Sequence, residues 1–309
     1  MLTQIQGLHH VTSLATSARK NNAFFTRVLG LRRVKQTVNF DNPKVYHLYY
    51  GDAQGTPGTV MTYFPFPDAK PRQKGAGEVS RTAFAIPKGS AAFWGDRLAA
   101  QHVDGIAKDQ RFGEDRVLFT GPDGDDFALV ETDDPRTPWQ HEGVPLQYAI
   151  RGFHSVEMMV QDVSATGELL MFMGYEEKEN AGSATRFHLP LGSHATTIDV
   201  VEAPKTPDHR QGAGSVHHIA FAVKDREAQL EARRTLSEAG YAVTPVKDRD
   251  YFLAIYFRSP GGVLFEIATN EPGFTRDESA EHLGETLQLP RQHAHLRTKL
   301  AETLEPLGD

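Results

Sequence analysis

The chain has 309 residues, 39% of them hydrophobic, a formal net charge of −7 and no cysteine. That length buries a large core and fits about two domains; no basic block supports a nucleic-acid partner, and without thiols there are no disulfides, thiolate ligands or cysteine nucleophile. No apolar run approaches the roughly 20 residues that span a membrane, and no positive patch precedes an apolar stretch at the start of the chain, so a cytoplasmic protein is expected.

One pattern recurs four times: a strand, an amphipathic helix, then strands closed by a Gly/Pro turn. The first copy predicts a strand over 7–14, a helix near 17–29 and a strand at 45–50. Gly55-Thr56-Pro57-Gly58 then turns the chain into a strand at 59–64. The second predicts strand 80–86, helix 89–102 and strand 115–119, with Gly121-Pro122-Asp123-Gly124 before strand 126–131. Residues 133–147 lack periodicity and read as a linker. The third copy predicts strand 151–160, helix 162–172 and strands near 184–189 and 195–202. The fourth predicts strand 215–223, helix 225–239 and strands 242–246 and 251–257; Ser259-Pro260-Gly261-Gly262 leads to strand 263–268. Each copy reads as βαβββ. The expected fold is α+β, with four such modules paired into two cupped sheets. The expected domains are 1–135 and 150–270, followed by a tail, 271–309, with a helix at 291–305.

The doublet His-His occurs twice, in Leu8-His9-His10-Val11-Thr12 and Val216-His217-His218-Ile219-Ala220-Phe221. Alternation along a strand separates the members of each doublet. His217 shares a face with Ile219, Phe221 and Val223, an apolar row suited to packing on helices. His218 shares the other face with Ala220 and Ala222, which leave room for a ligand. The same parity turns His10, Glu266 and Tyr256 toward the cup and His9 and His217 away. Two imidazoles and a carboxylate on separate strands bind three adjacent positions of a divalent ion and leave the rest open, the ligand set of non-haem Fe(II) oxygenases. Parity leaves a choice: His10 with His218 and Glu266 if module one pairs with module four, or His154 in place of His10 if module three does. Among the other closing strands, Tyr63, Glu131, and Asp199 or Glu202 take the position of Glu266; Glu202 with His154 is a weak second set. His47 reads as structural or as a neighbour of the ligands.

With these motifs in order along nearly the whole chain, the sequence resembles the vicinal-oxygen-chelate superfamily of glyoxalases and extradiol dioxygenases. More narrowly it is similar to the hydroquinone ring-cleaving dioxygenases. Gly7-Leu8-His9-His10-Val11-Thr12, Tyr46-His47-Leu48-Tyr49-Tyr50, Arg151-Gly152-Phe153-His154-Ser155, Val216-His217-His218 and Ser259-Pro260-Gly261-Gly262-Val263-Leu264-Phe265-Glu266 carry the likeness. The resemblance implies a metal held by His10, His218 and Glu266, with His154 a non-ligand. It places His9, Thr12, His217, Arg249 and Tyr256 around the metal.

The function it implies is Fe(II)-dependent cleavage of a hydroquinone-type aromatic diol with O2 as co-substrate, Mn(II) being the second choice of metal. Tyr256 would hydrogen-bond substrate and move a proton, Arg249 would stabilise an anion, His9 and His217 would orient the ligands and Thr12 would hydrogen-bond in the pocket. A small aromatic diol is the expected partner, in a homo-oligomer. The alternatives are an extradiol catechol dioxygenase, a glyoxalase-like metal-dependent lyase or isomerase, and a non-catalytic small-molecule-binding protein of the same fold.

Overall fold

The computed structural model describes residues 1–193 and 195–308. Module one comprises β1 (Leu8–Ala15), α1 (Ala18–Ala23), β2 (Arg32–Val38), β3 (Tyr46–Gly51) and β4 (Val60–Pro65). Module two follows with β5 (Glu78–Pro87), α2 (Ala91–Ala100), β6 (Asp104–Arg111), β7 (Glu114–Thr120) and β8 (Asp126–Thr132). Module three holds β9 (Gly152–Val160), α3 (Val163–Phe172), β10 (Glu176–Ala181), β11 (Ala184–His188) and β12 (Thr197–Glu202). Module four holds β13 (Val216–Val223), α4 (Arg226–Glu238), β14 (Lys247–Asp248), β15 (Phe252–Arg258) and β16 (Leu264–Pro272).

Three of the helices, α1, α3 and α4, start where short polar side chains satisfy free backbone donors. Ser17 accepts from Lys20 N, Asp162 from Ser164 N and Asp225 from Ala228 N. Module one's helix continues through a π-helical turn, Phe24–Val28, in which Leu29 N donates to Phe24 O over 3.0 Å. In the tail, a 3₁₀ segment, Arg291–Leu296, precedes α5 (Arg297–Thr303), so the expected helix at 291–305 is split and shorter.

Two eight-stranded sheets result, in the orders β14-β15-β16-β13-β1-β4-β3-β2 and β10-β11-β12-β9-β5-β8-β7-β6. Each sheet takes one module from residues 1–135 and one from 150–270: module one joins module four, and module two joins module three. The joints are antiparallel, β1 on β13 and β5 on β9. Side chains facing away from the cups merge with the helices into one core. There Phe24 packs on Phe119 and Phe127 of the other sheet, and Phe25 stacks on Tyr50 at 4.9 Å. The linker is fastened by Arg136, whose guanidinium donates to Gly58 O and Phe153 O. Gly152 permits this approach, since a Cβ there would lie 2.5 Å from Arg136 Nη1.

Three strands absent from the sequence reading, β2, β6 and β10, are all sheet edges. The fourth edge was expected at 242–246, but only Lys247–Asp248 pairs there; Thr244 N and Oγ1 instead bond singly to Tyr256 O and N.

Candidate metal centre

The joints between modules carry paired β-bulges. Leu8 pairs with Phe221 and His10 with Ala220, so His9 is an extra residue. Thr12 pairs with His218 and Ser13 with Val216, so His217 is another. A bulge re-aims the inserted side chain. The expectation that His9 and His217 turn away is thereby corrected: His9 Nδ1 lies 2.9 Å from His10 Nδ1, and His217 Nδ1 lies 2.8 Å from His218 Nδ1. Burial, with the neighbouring histidine second, lowers both His9 and His217 to a pKa of about 3. Both stay neutral at pH 7 and can accept at Nδ1. A neutral His10 or His218 that donates there leaves its Nε2 lone pair free.

Those two Nε2 atoms lie 3.2 Å apart. Glu266 Oε2 is 2.9 Å from His218 Nε2 and 3.6 Å from His10 Nε2. The three side chains are buried, and one ligand atom from each falls within 4.8 Å of the others. Among the described residues, neither carboxylate oxygen of Glu266 has a hydrogen-bond donor aligned on it. Burial opposes its charge, and it is positive charge at the His10 and His218 positions beside it that holds its pKa well below the usual carboxylate range. Burial lowers that of His218. A buried, ionised carboxylate without a donor costs several kcal/mol; a divalent cation between these atoms would offset that cost. The donor set, two imidazole nitrogens and one carboxylate, fits a metal.

The triad lines a cavity of about 410 Å³ with Phe40, His47, Phe64, Phe66, Phe252 and Tyr256 among its walls. Arg249, Lys247, Thr244 and the loop 39–42 also border it. Arg249 Nε donates to Tyr256 Oη at 3.3 Å, and its guanidinium stands 3.8 Å from Asp41 and over the Phe40 ring. Burial works against the Arg249 charge, but Tyr256, Asp41 and Glu266 outweigh it and raise its pKa. Burial, and then Glu266, push the Tyr256 phenol up, so it is protonated at pH 7.

Of the residues singled out in the sequence, His10, His217, His218, Glu266, Arg249 and Tyr256 border this cavity. His9 and Thr12 lie behind that lining. Thr12 Oγ1 bonds Thr62 Oγ1 at 2.9 Å, and Thr62 Oγ1 bonds His47 Nε2 at 2.9 Å. The sequence reading missed the cavity walls Phe40, Phe64, Phe66, Phe252 and Lys247. The strand parity of Phe64 and Phe252 was an available signal for those two.

The register corrects three alignments, the first in module two, where the residue in the position of Glu266 is Ala128, between Ala83 and Leu118, and not Glu131. Glu266 pairs with Ala220 on one side and Tyr256 on the other. In module one the residue so placed is Thr62, between Thr12 and Tyr49, and not Tyr63. In module three it is Asp199, between Glu157 and Arg186. His154 is the bulge residue of β9, the counterpart of His217 and not of His10 or His218. It sits 2.9 Å from Glu114 Oε1 in the other cup.

A model of the glyoxalase/bleomycin resistance protein/dioxygenase superfamily matches residues 7–129 and 152–267. A Bacillus subtilis protein named as the ring-cleaving dioxygenase MhqO is 41% identical over 310 residues, covering 99% of this chain and 98% of its own. The chlorohydroquinone/hydroquinone 1,2-dioxygenase of Sphingobium indicum is 34% identical over 97% of this chain and 96% of its own. The crystal structure of a Bacillus subtilis protein described as a dioxygenase superposes with a TM-score of 0.95, at 41% identity, over 99% of this chain and 98% of its own. Two cups of paired βαβββ modules, a match along both halves and relatives of full length lead to one conclusion: the chain belongs to the glyoxalase/bleomycin resistance protein/dioxygenase superfamily.

Proposed function

We propose that this protein is a metal-dependent dioxygenase that opens the ring of a hydroquinone, a diol whose hydroxyls are para to one another. The observation that carries the reading is a buried carboxylate with no aligned hydrogen-bond donor among the described residues, set between two Nε2 atoms at an aromatic-walled cavity. His10, His218 and Glu266 would hold the ion, Fe(II) by donor preference and Mn(II) as second choice. Bound there, the ion supplies Lewis acidity to one substrate hydroxyl and open positions for dioxygen.

The remaining chemistry belongs to side chains. His9 and His217 fix the ring orientation of the ligands through their Nδ1 contacts. The aromatic walls hold the substrate ring and exclude water. Tyr256 keeps its proton and is the group placed to give it to an anionic oxygen in the cavity. Arg249 neutralises negative charge that develops beside it. Thr12 contributes a hydroxyl on the face that carries His10.

A glyoxalase-like lyase or isomerase calls for a further carboxylate as base and ligand, and Thr62 occupies the pseudo-symmetric position of Glu266. The names of the relatives favour hydroquinones over catechols. Mass spectrometry of the product formed under ¹⁸O₂ tests the reading. Incorporation of ¹⁸O into a ring-opened product of hydroquinone supports it; conversion without ¹⁸O makes the protein a lyase or isomerase.

A further inference from the structure

His47 borders the cavity but offers it neither ring nitrogen. Tyr49 Oη lies 2.8 Å from His47 Nδ1, and His47 Nε2 lies 2.9 Å from Thr62 Oγ1. Thr62 Oγ1 continues to Thr12 Oγ1, also at 2.9 Å. Tyr49, Thr62 and Thr12 are fully buried, and His47 is nearly so. The chain therefore runs Tyr49, His47, Thr62, Thr12 and ends on β1, two residues past His10 and directly across from His218.

Its direction follows from counting protons. Burial pushes the Tyr49 phenol well above its ordinary pKa, so it carries a proton. Its only hydrogen-bond partner among the described residues is His47 Nδ1. An orphaned buried donor costs more than an orphaned acceptor lone pair, so the phenol donates. His47, kept neutral by its burial, then carries its proton on Nε2 and donates to Thr62. The Thr62 hydroxyl donates to Thr12 Oγ1. The Thr12 proton is left over, with no acceptor among the described residues.

The position of the chain is also informative. The pseudo-two-fold axis of this cup maps Tyr256 onto Tyr49 and Glu266 onto Thr62. One side of the cup thus presents a carboxylate to accept a cation. The other side presents a hydroxyl chain in the equivalent place. Alternation along β1 puts Thr12 on the cup face with His10.

We infer that His47 is a positioning residue of this site: locked by Tyr49 as the Nε2–H tautomer, it fixes one donor direction along the Thr62–Thr12 hydroxyls that underlie the cavity wall, on the face of β1 that carries His10. Its kinetic consequence rests on the proposed ring cleavage; the tautomer does not.

Two readouts test it on the full chain. In metal-free protein labelled with ¹⁵N-histidine, long-range ¹H–¹⁵N correlation reports the tautomer of His47. The expected result is Nε2–H in the parent protein and loss of that preference in Tyr49→Phe. A protonated Nδ1 in the parent overturns the inference whether or not the protein turns over any diol. In Fe(II)-loaded enzyme, Tyr49→Phe and Thr62→Val each lower kcat about tenfold with unchanged metal content. Because both break one chain, the double variant also stays at about tenfold. Losses that multiply to about a hundredfold, or that track lost metal, assign these residues to packing alone and overturn it.

Discussion

The two cups share one backbone plan and differ in what stands opposite the closing-strand carboxylate. In the cup of modules one and four, Glu266 faces Tyr256 across the ladder and has His10 and His218 beside it. In the cup of modules two and three, the register counterparts of His10, His218 and Glu266 are Arg81, Ser155 and Asp199. There Arg186 replaces Tyr256 and donates to both oxygens of Asp199, at 2.7 and 2.9 Å. It also pairs with Glu114, which takes His154 on its other oxygen. One carboxylate is, on the proposed reading, the ligand of a cation from outside; the other is satisfied by a guanidinium of the chain. The fold provides the position, and the residues around it differ: two imidazoles and a tyrosine in the proposed metal centre, a guanidinium in the ion pair.

The largest break in that contrast is His218→Ala. It removes one of the three proposed ligands, from the first cup alone. Metal retained after dialysis should fall to background, and turnover by at least about a thousandfold, ~4 kcal/mol of transition-state stabilisation. In the other cup, Arg186→Leu leaves Asp199 buried without its cation and takes one partner from half-buried Glu114. Urea unfolding should show a loss of about 3–5 kcal/mol with metal content unchanged. Adding Asp199→Leu should restore part of it, because the uncompensated charge goes too.

The seam between the cups gives a pH signature. Tyr63 of the first sheet donates to Asp125 Oδ1, just before β8 of the second, at 2.7 Å. Burial is the dominant cause that lifts the Asp125 pKa from 3.8 to about 6, with Asp123 adding to it and Tyr63 opposing it. A raised folded-state pKa means that the protonated acid is the form the fold favours. This contribution is full below about pH 4 and is lost as pH rises through about 6, on the order of 3 kcal/mol. Asp125→Asn should flatten the stability profile across that window in urea titrations.

The smallest of these effects sharpens the role of the first cup's own cross-strand residue. Tyr256→Phe keeps the ring and removes one proton. Metal content should hold while kcat falls about ten- to hundredfold. An unchanged kcat would assign Tyr256 to packing.

Much of this was legible from period-two alternation. The apolar rows beside His218 and Glu266 mark the core face, so the cup face followed by parity, and the Gly/Pro turns marked the modules. What escaped was set by tertiary structure. The bulges at His9, His217 and His154 break parity, and an inserted residue leaves no signature in a hydrophobic pattern. The edge strands β6 and β10 read Asp-Gly-Ile-Ala-Lys-Asp-Gln-Arg and Glu-Glu-Lys-Glu-Asn-Ala, charged sequences that resist pairing with other chains and carry no strand alternation. The join of module one to module four is a contact across some 200 residues, and the motifs alone left it open between His10 and His154. The aromatic walls reach the cavity from strands and from a loop, where side-chain type does not announce the direction it faces.

The most direct test of a metal centre built from the first and last modules is oxygen uptake by anaerobically reconstituted Fe(II) protein given hydroquinone, compared among the parent, His10→Ala and His154→Ala. Uptake in the parent and in His154→Ala, lost in His10→Ala together with the metal, is the predicted result. Uptake that survives His10→Ala, or tight metal binding with no uptake on any para-diol, would contradict it.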